Sequence, residues 1–155
     1  DALPIYDMQH PEIPALSHYV PAHEGPEDEL VKTFPLQLIT WKGKNRANST
    51  QYANPWLIEA QQQKLWIHPQ DAQKRGIAQG DTVRIHNARG ICEIPAEVTP
   101  RIIPGVVAMQ AGAWWQPDAQ GIDKGGCANV LSSARITALA KGNSHQTMLV
   151  EVARA

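Results

Sequence analysis

Asp81-Thr82-Val83-Arg84-Ile85-His86-Asn87-Ala88-Arg89-Gly90-Ile91-Cys92-Glu93-Ile94-Pro95-Ala96-Glu97-Val98 is the stretch whose reading decides the fold class. Polar and apolar residues alternate through Asp81–His86 and again through Ile91–Val98, the two-residue period of strands with one buried face. Asn87-Ala88-Arg89-Gly90 between them supplies a hairpin turn, with Gly90 expected at the positive-φ position. Pro95 has no N–H to give to a ladder, so the second strand is expected at a sheet edge or with a bulge.

Outward from this hairpin the same reading repeats. Phe34–Trp41, Leu65-Trp66-Ile67, Gly105–Met109 and Thr147–Val152 are short apolar runs of strand length. Pro55 and Pro69 suit the first position of short helices reaching Gln62 and Arg75, and Gly76 supplies a left-handed stop for the second. Six short strands with two small helices predict a mainly β fold with short helices, closed into a barrel because closure removes exposed edges. No internal repeat or low-complexity tract is evident.

Composition narrows the function. At 155 residues and 17.0 kDa the chain is sized for one domain with a real core. A net charge of -1 and a pI near 6.6 give no basic stripe, which argues against a nucleic-acid partner. Charged residues make up 19%, below the usual quarter, so part of the surface is expected to face protein rather than water. Cys92 and Cys127 make neither a disulfide framework nor a metal site by spacing, and His10, His18, His23, His68 and His86 lack metal-ligand spacing. No run approaches the ~18 apolar residues of a membrane helix, and no secretory leader is visible. The chain opens at Asp1 without Met, as a piece of a longer polypeptide would.

Residues 1–33 carry Pro4, Pro11, Pro14, Pro21 and Pro26 and an acidic group at Glu24, Glu27, Asp28 and Glu29. No period survives there, so this segment reads as an extended Pro-rich arm or interdomain segment. Its apolar members, among them Ile13, Leu16, Tyr19 and Val20, are expected to lie against another part of the protein. The barrel domain is 34–155.

The chemistry is expected in the loops. Gly112-Ala113-Trp114-Trp115-Gln116-Pro117, Lys124-Gly125-Gly126-Cys127-Ala128-Asn129-Val130-Leu131 and Gly142-Asn143-Ser144-His145-Gln146-Thr147 join aromatic faces, glycine turns and amide side chains with almost no fixed charge. That composition holds a flat, hydrogen-bonding ligand rather than reacting with one. One of the two tryptophans is expected in the core and the other against the ligand. Lys42–Gln51 follows the first strand and lacks the Gly-x-x-x-x-Gly-Lys-Ser/Thr spacing of a phosphate loop. On its residues alone it is a solvated loop.

These stretches, with Asn54-Pro55-Trp56 and Asp71–Ile85, resemble the C-terminal dinucleotide-binding domain of the dimethyl sulfoxide reductase family, molybdenum enzymes that use a bis(molybdopterin guanine dinucleotide) cofactor. The resemblance covers Phe34 to Val152 and is greatest to the anaerobic dimethyl sulfoxide reductase catalytic subunits and their selenate-reductase-like relatives. It implies a six-stranded double-psi β-barrel. It also implies cofactor contacts at Lys42, Asn48, Ser49, Thr50, Asn129, Asn143, His145 and Gln146. Many relatives carry histidine where this chain has Lys42 and Asn48, which donate hydrogen bonds but do not switch protonation near neutral pH. No catalytic residue or metal ligand is expected here, since the family's metal ligand and iron–sulfur cysteines belong to other domains.

By the same resemblance the parent would reduce an S-oxide, N-oxide or selenate by oxygen-atom and two-electron transfer. It would sit in the periplasm, held to the membrane through an iron–sulfur electron-transfer subunit and a membrane anchor subunit. The alternative is a stand-alone double-psi barrel acting as a protein-interaction or substrate-recognition module. A self-processing barrel would need a Gly-Ser dipeptide, which the chain lacks. The cofactor reading requires the Lys42–Gln51 loop, the Gly125–Leu131 turn and the Asn143–Thr147 turn to meet on one face of the barrel.

Overall fold

Alternation along the chain becomes six strands in the computed structural model, which describes residues 8–16, 18–143 and 146–155. They are β1 (Leu36–Trp41), β2 (Leu65–Ile67), β3 (Thr82–His86), β4 (Ile91–Val98), β5 (Val106–Gln110) and β6 (Met148–Arg154). Two one-and-a-half-turn helices, α1 (Pro55–Ala60) and α2 (Pro69–Lys74), open on proline. Each has a side-chain cap: Asn54 accepts from the Trp56 N–H, and His68 from the Gln70 N–H. Gly76, at φ +63°, ends the α2 segment as its position predicts.

The strands close into one barrel in the order β1-β5-β2-β4-β3-β6. β1 pairs with β5 and β2 with β4 in parallel, and the other four neighbours are antiparallel. Replacing β1, β2 and β3 by β4, β5 and β6 maps this neighbour list onto itself, parallel pairs onto parallel pairs. The chain is therefore two interlocked halves of like topology, the double-psi arrangement. Every second side chain points inward: Leu36 and Leu38, Leu65 and Ile67, Val83 and Ile85, Cys92, Ile94 and Ala96, Val107 and Met109, Met148, Val150 and Val152. Full burial of such side chains contributes about 1.5–3 kcal/mol each.

Two local expectations are corrected. Pro95 is on neither an edge nor a bulge; β4 lies between β2 and β3 and Pro95 pairs with Thr82. The N–H of Glu93 points away from β3 toward the Asp123 carbonyl, and by the two-residue period the Pro95 nitrogen points to that same side. β2 pairs with β4 only from Ala96 onward, so no ladder bond is lost at Pro95. Gly90 is not at positive φ. Glycine is needed there because a Cβ would lie 2.6 Å from the Val130 carbonyl oxygen.

The N-terminal arm is fastened to the barrel's own wall. Glu24 is 1% exposed, and its carboxylate accepts two bonds from the Arg89 guanidinium (2.7 and 2.8 Å) and one from the Leu149 N–H (3.0 Å). Arg89 also donates to the Leu131 carbonyl, which the Asn87 amide shares. The arm, the hairpin turn, the 131 turn and the start of β6 thus meet at one carboxylate. Removing one partner of such a pair strands the other charge, so Glu24→Ala is expected to cost about 3–5 kcal/mol in urea unfolding. A loss below ~1 kcal/mol, the worth of an exposed pair, would show that Glu24 does not anchor the arm.

Candidate functional site

The loops at the site are shaped by one buried acid. Asp123 is fully buried, and its backbone docks on β4: its N–H donates to the Ile91 carbonyl (3.0 Å) and its carbonyl accepts from Glu93 N–H (2.8 Å). Its carboxylate then accepts from the backbone N–H groups of Gln116 (2.8 Å), Gly125 (3.2 Å) and Cys127 (2.6 Å). Three amide donors satisfy a carboxylate that burial would otherwise penalise. The Trp114–Gln116 segment and the Gly125–Ala128 turn are held side by side as a result.

A second brace joins this turn to the loop after β1. The Gln63 amide donates to the carbonyls of Gln110 (2.8 Å) and Gly126 (3.0 Å) and accepts from the Arg46 guanidinium (2.6 Å). Gly126, at φ +79°, lets the turn lie on Gln63 where a Cβ would overlap it. Tyr52 donates its hydroxyl to the Gly125 carbonyl (3.1 Å), stacks obliquely on Trp114 and carries Arg46 above its ring at 5.2 Å.

Between the two braced loops is a cavity of about 280 Å³. Thr40, Asn48 and Ser49 form one side, Cys127, Ala128 and Asn129 another, and Ala111, Gly112 and Ala113 the floor. Gly112 is at φ +87°, and a Cβ on it would overlap the Asn48 carbonyl. The small floor residues therefore let the Asn48–Ser49 backbone come down onto the end of β5. None of the nine lining residues is charged. Such walls suit an uncharged ring bearing donors and acceptors, whereas a phosphate calls for cations or a helix N-terminus. The volume is just below the 300–1,000 Å³ of a pocket that encloses a drug-sized ligand. Burial raises the Cys127 thiol above its ordinary pKa, which keeps it protonated and a poor nucleophile.

Of the residues expected to contact a cofactor, Asn48, Ser49 and Asn129 line this cavity. Gln146 sits beside it and clasps Thr40 twice: its amide oxygen accepts from the Thr40 N–H and its nitrogen donates to the Thr40 hydroxyl, both at 2.9 Å. Lys42, Thr50 and Asn143 lie outside these walls; Thr50 closes a turn onto the Ala47 carbonyl and Asn143 bridges to Ile136. His145 falls outside the described residues. The Lys42–Gln51 loop and the Gly125–Leu131 turn therefore meet, and the last turn reaches them through Gln146. The expectation of one core tryptophan is corrected: Trp114 and Trp115 are 50% and 61% exposed. Trp114 is steadied by Tyr52 and by a bond from its indole N–H to the Ser49 carbonyl (3.3 Å). Asp123, Gln63 and Thr40 were not anticipated as site-forming residues, whereas Gly112 belongs to one of the glycine-bearing stretches expected to hold a ligand. An Asp two residues before Gly-Gly is consistent with a side chain capping its own turn, but the adjacent Lys124 gives it the look of a surface acid.

Comparison with known proteins gives this geometry a context. The sequence pattern of the family described as Molydopterin dinucleotide binding domain matches residues 36–149. The chain is 52% identical over 141 residues to dimethyl sulfoxide reductase DmsA of Escherichia coli (strain K12), covering 90% of this chain and 17% of that protein. It is 39% identical over 145 residues to the trimethylamine-N-oxide reductase of Haemophilus influenzae, covering 85% of this chain and 18% of that one. Among solved structures, acetylene hydratase from Pelobacter acetylenicus superposes with a TM-score of 0.74 over 91% of this chain and 21% of its own, at 16% identity, a likeness of fold. The chain spans under a fifth of the length of the two reductases.

Asp123→Asn turns an amide N–H₂ toward backbone donors and removes the negative charge to which they donate. Each hydrogen bond to a charged group is worth about 1.5–3 kcal/mol, so unfolding free energy should fall by at least ~1.5 kcal/mol. Amide exchange at Gln116 and Cys127 should quicken with it. Unchanged exchange at both positions would remove Asp123 from its organising role.

Proposed function

Because the chain belongs to the molybdopterin dinucleotide binding domain family, we propose that it forms one wall of the site holding a bis(molybdopterin guanine dinucleotide) cofactor with molybdenum. The observation that carries this reading is the uncharged cavity between Asn48–Ser49 and Cys127–Asn129, built around the small floor at Gly112. Asn48, Ser49 and Asn129 offer amide and hydroxyl edges for a pterin-like ring, and the glycine and alanines let backbone groups approach it. Gln146 acts through Thr40. Lys42, Thr50 and Asn143 are assigned to parts of the group that extend beyond this cavity, with Lys42 suited to a phosphate, and His145 is kept as a contact by the family resemblance alone.

When bound, the cofactor supplies two-electron redox chemistry coupled to oxygen-atom transfer. The chain's residues bind, orient and exclude water; none of them is a reacting group. The substrate of the parent is then an S-oxide, N-oxide or selenate, a reading supported by relatives named as reductases of dimethyl sulfoxide and trimethylamine N-oxide. The parent would be periplasmic and anaerobic, with an iron–sulfur cluster in another domain. An iron–sulfur electron-transfer subunit and a membrane anchor subunit would complete it. A free-standing interaction module has no use for an uncharged cavity cross-braced by Asp123 and Gln63.

Two measurements test this. The 155-residue chain alone should reduce neither dimethyl sulfoxide nor trimethylamine N-oxide with a viologen donor, and turnover after removal of trace metal would refute the holding role. In the full-length parent, Gln146→Ala frees Thr40 and the wall it belongs to. A displacement of ~1 Å near the chemistry can cost about 10²-fold in rate, so activity per bound molybdenum should fall while the enzyme stays folded and largely loaded. Wild-type activity per molybdenum would return Gln146 to a turn residue.

A further inference from the structure

The barrel carries a second polar feature, on its outer wall, that the cofactor cavity does not use. Among the described residues, five buried side-chain N and O atoms have no hydrogen-bond partner in the protein. Four of them belong to three neighbouring residues: Trp41 Nε1, Gln61 Oε1, and both Nε2 and Oε1 of Gln110. Trp41 and Gln110 are directly paired in the β1–β5 ladder, so their side chains leave the same face of the sheet. Leu38 and Val107, three residues earlier, point into the core, so this shared face is the outer one.

Gln110 is nonetheless 1% exposed, because the excursion between β1 and β2 folds over it. A cavity of about 50 Å³ lies there, and Gln110, Gln61, Gln63, Arg46 and Tyr52 are among its walls. Trp41 lines a neighbouring cleft, and Gln61 belongs to both, so the two clefts adjoin at that residue. Gly43 is closely packed on the Gln110 amide, where a Cβ would overlap it.

Across these two adjoining clefts, which share Gln61, the four unpartnered atoms are two donors, the indole N–H and the amide N–H₂, and two acceptors, the two amide oxygens. Each left unmade would carry its desolvation penalty unrelieved, a burden that native interiors relieve with bound water. A charged ligand does not fit this set, since donors and acceptors are balanced and the nearby Arg46 is already bonded to Gln63. The space is enough for ordered water, which needs about 10–15 Å³ of room, and is small beside the roughly 300–1,000 Å³ of ligand pockets.

We propose that this is a built-in water site: a small cluster of ordered waters bridges Gln110, Gln61 and Trp41 and fastens the 42–64 excursion to the outside of the barrel. The excursion carries Asn48 and Ser49, so the waters hold the cofactor-facing loop from behind. The inference rests on the unpartnered atoms and stands whether or not the chain holds a cofactor.

The sign of one substitution decides it. Gln110→Met keeps the length and removes both polar atoms. If the cavity is dry, this relieves two unpaired groups and the protein melts at a higher temperature. If waters bridge it, the variant melts lower, and amides of residues 45–52 exchange about tenfold faster while β3, β4 and β6 keep wild-type protection. A crystal structure of the protein carrying this chain, at a resolution that shows ordered solvent, gives a second readout independent of folding. Waters touching Gln110 and at least one of Gln61 and Trp41 are expected. A raised melting temperature, unaltered loop exchange, or a Gln110 amide bonded only to protein atoms would each overturn the proposal.

Discussion

A buried carboxylate accepting three backbone N–H groups is what the cavity-bearing end of this barrel depends on. Among the described residues no cation pairs with Asp123; its charge is met by amide dipoles from Gln116, Gly125 and Cys127. Because those donors come from two separate segments, the interaction does more than stabilise a turn. It sets the spacing between the aromatic Trp114–Trp115 stretch and the Cys127–Asn129 wall, and it ties both to β4 through its own backbone. Its low-dielectric surroundings strengthen the bonds and also push the neighbouring Cys92 thiol up, leaving that group inert.

The glycines complete this arrangement by close approach more than by conformational freedom. At Gly112 and Gly126 a side chain would occupy space already held by the Asn48 backbone and the Gln63 side chain. Loops that ordinarily ride on the surface with unpaired backbone are here pressed against one another, and Gln63 supplies the bonds such contact requires. Preorganisation is the physical result, since these loops are already ordered by contacts within the chain.

Much of the fold was legible because alternation is a local signal. All six strands and both helices stand within one or two residues of where the apolar period and the prolines put them. The strand order was not legible, because pairing of β1 with β5 or β2 with β4 joins residues far apart in the chain with no periodic trace; only the family resemblance supplied it. The two halves share topology without visible repetition, since a barrel interior asks only for aliphatic residues at every second position. That also explains the tryptophans: a narrow interior filled by Leu, Ile, Val and Met has no room for an indole. At the site, Asn48, Ser49 and Asn129 came from the motifs, whereas Asp123 was passed over because an acid next to Lys124 reads as surface until its amide partners are known.

The internal two-fold relation has a consequence for how this fold accommodates change. The connection between β1 and β2 runs through 42–64, but its symmetry mate between β4 and β5 is only 99–105; likewise 111–147 between β5 and β6 corresponds to 68–81 between β2 and β3. Each half of the barrel therefore closes with a short version of the linker that its twin carries long. The long connections are elaborations on a scaffold that demonstrably tolerates their absence at the equivalent place. Loop length at these two points is free to drift or to be grafted, and ligand preference can diverge there while the strands and their register stay fixed.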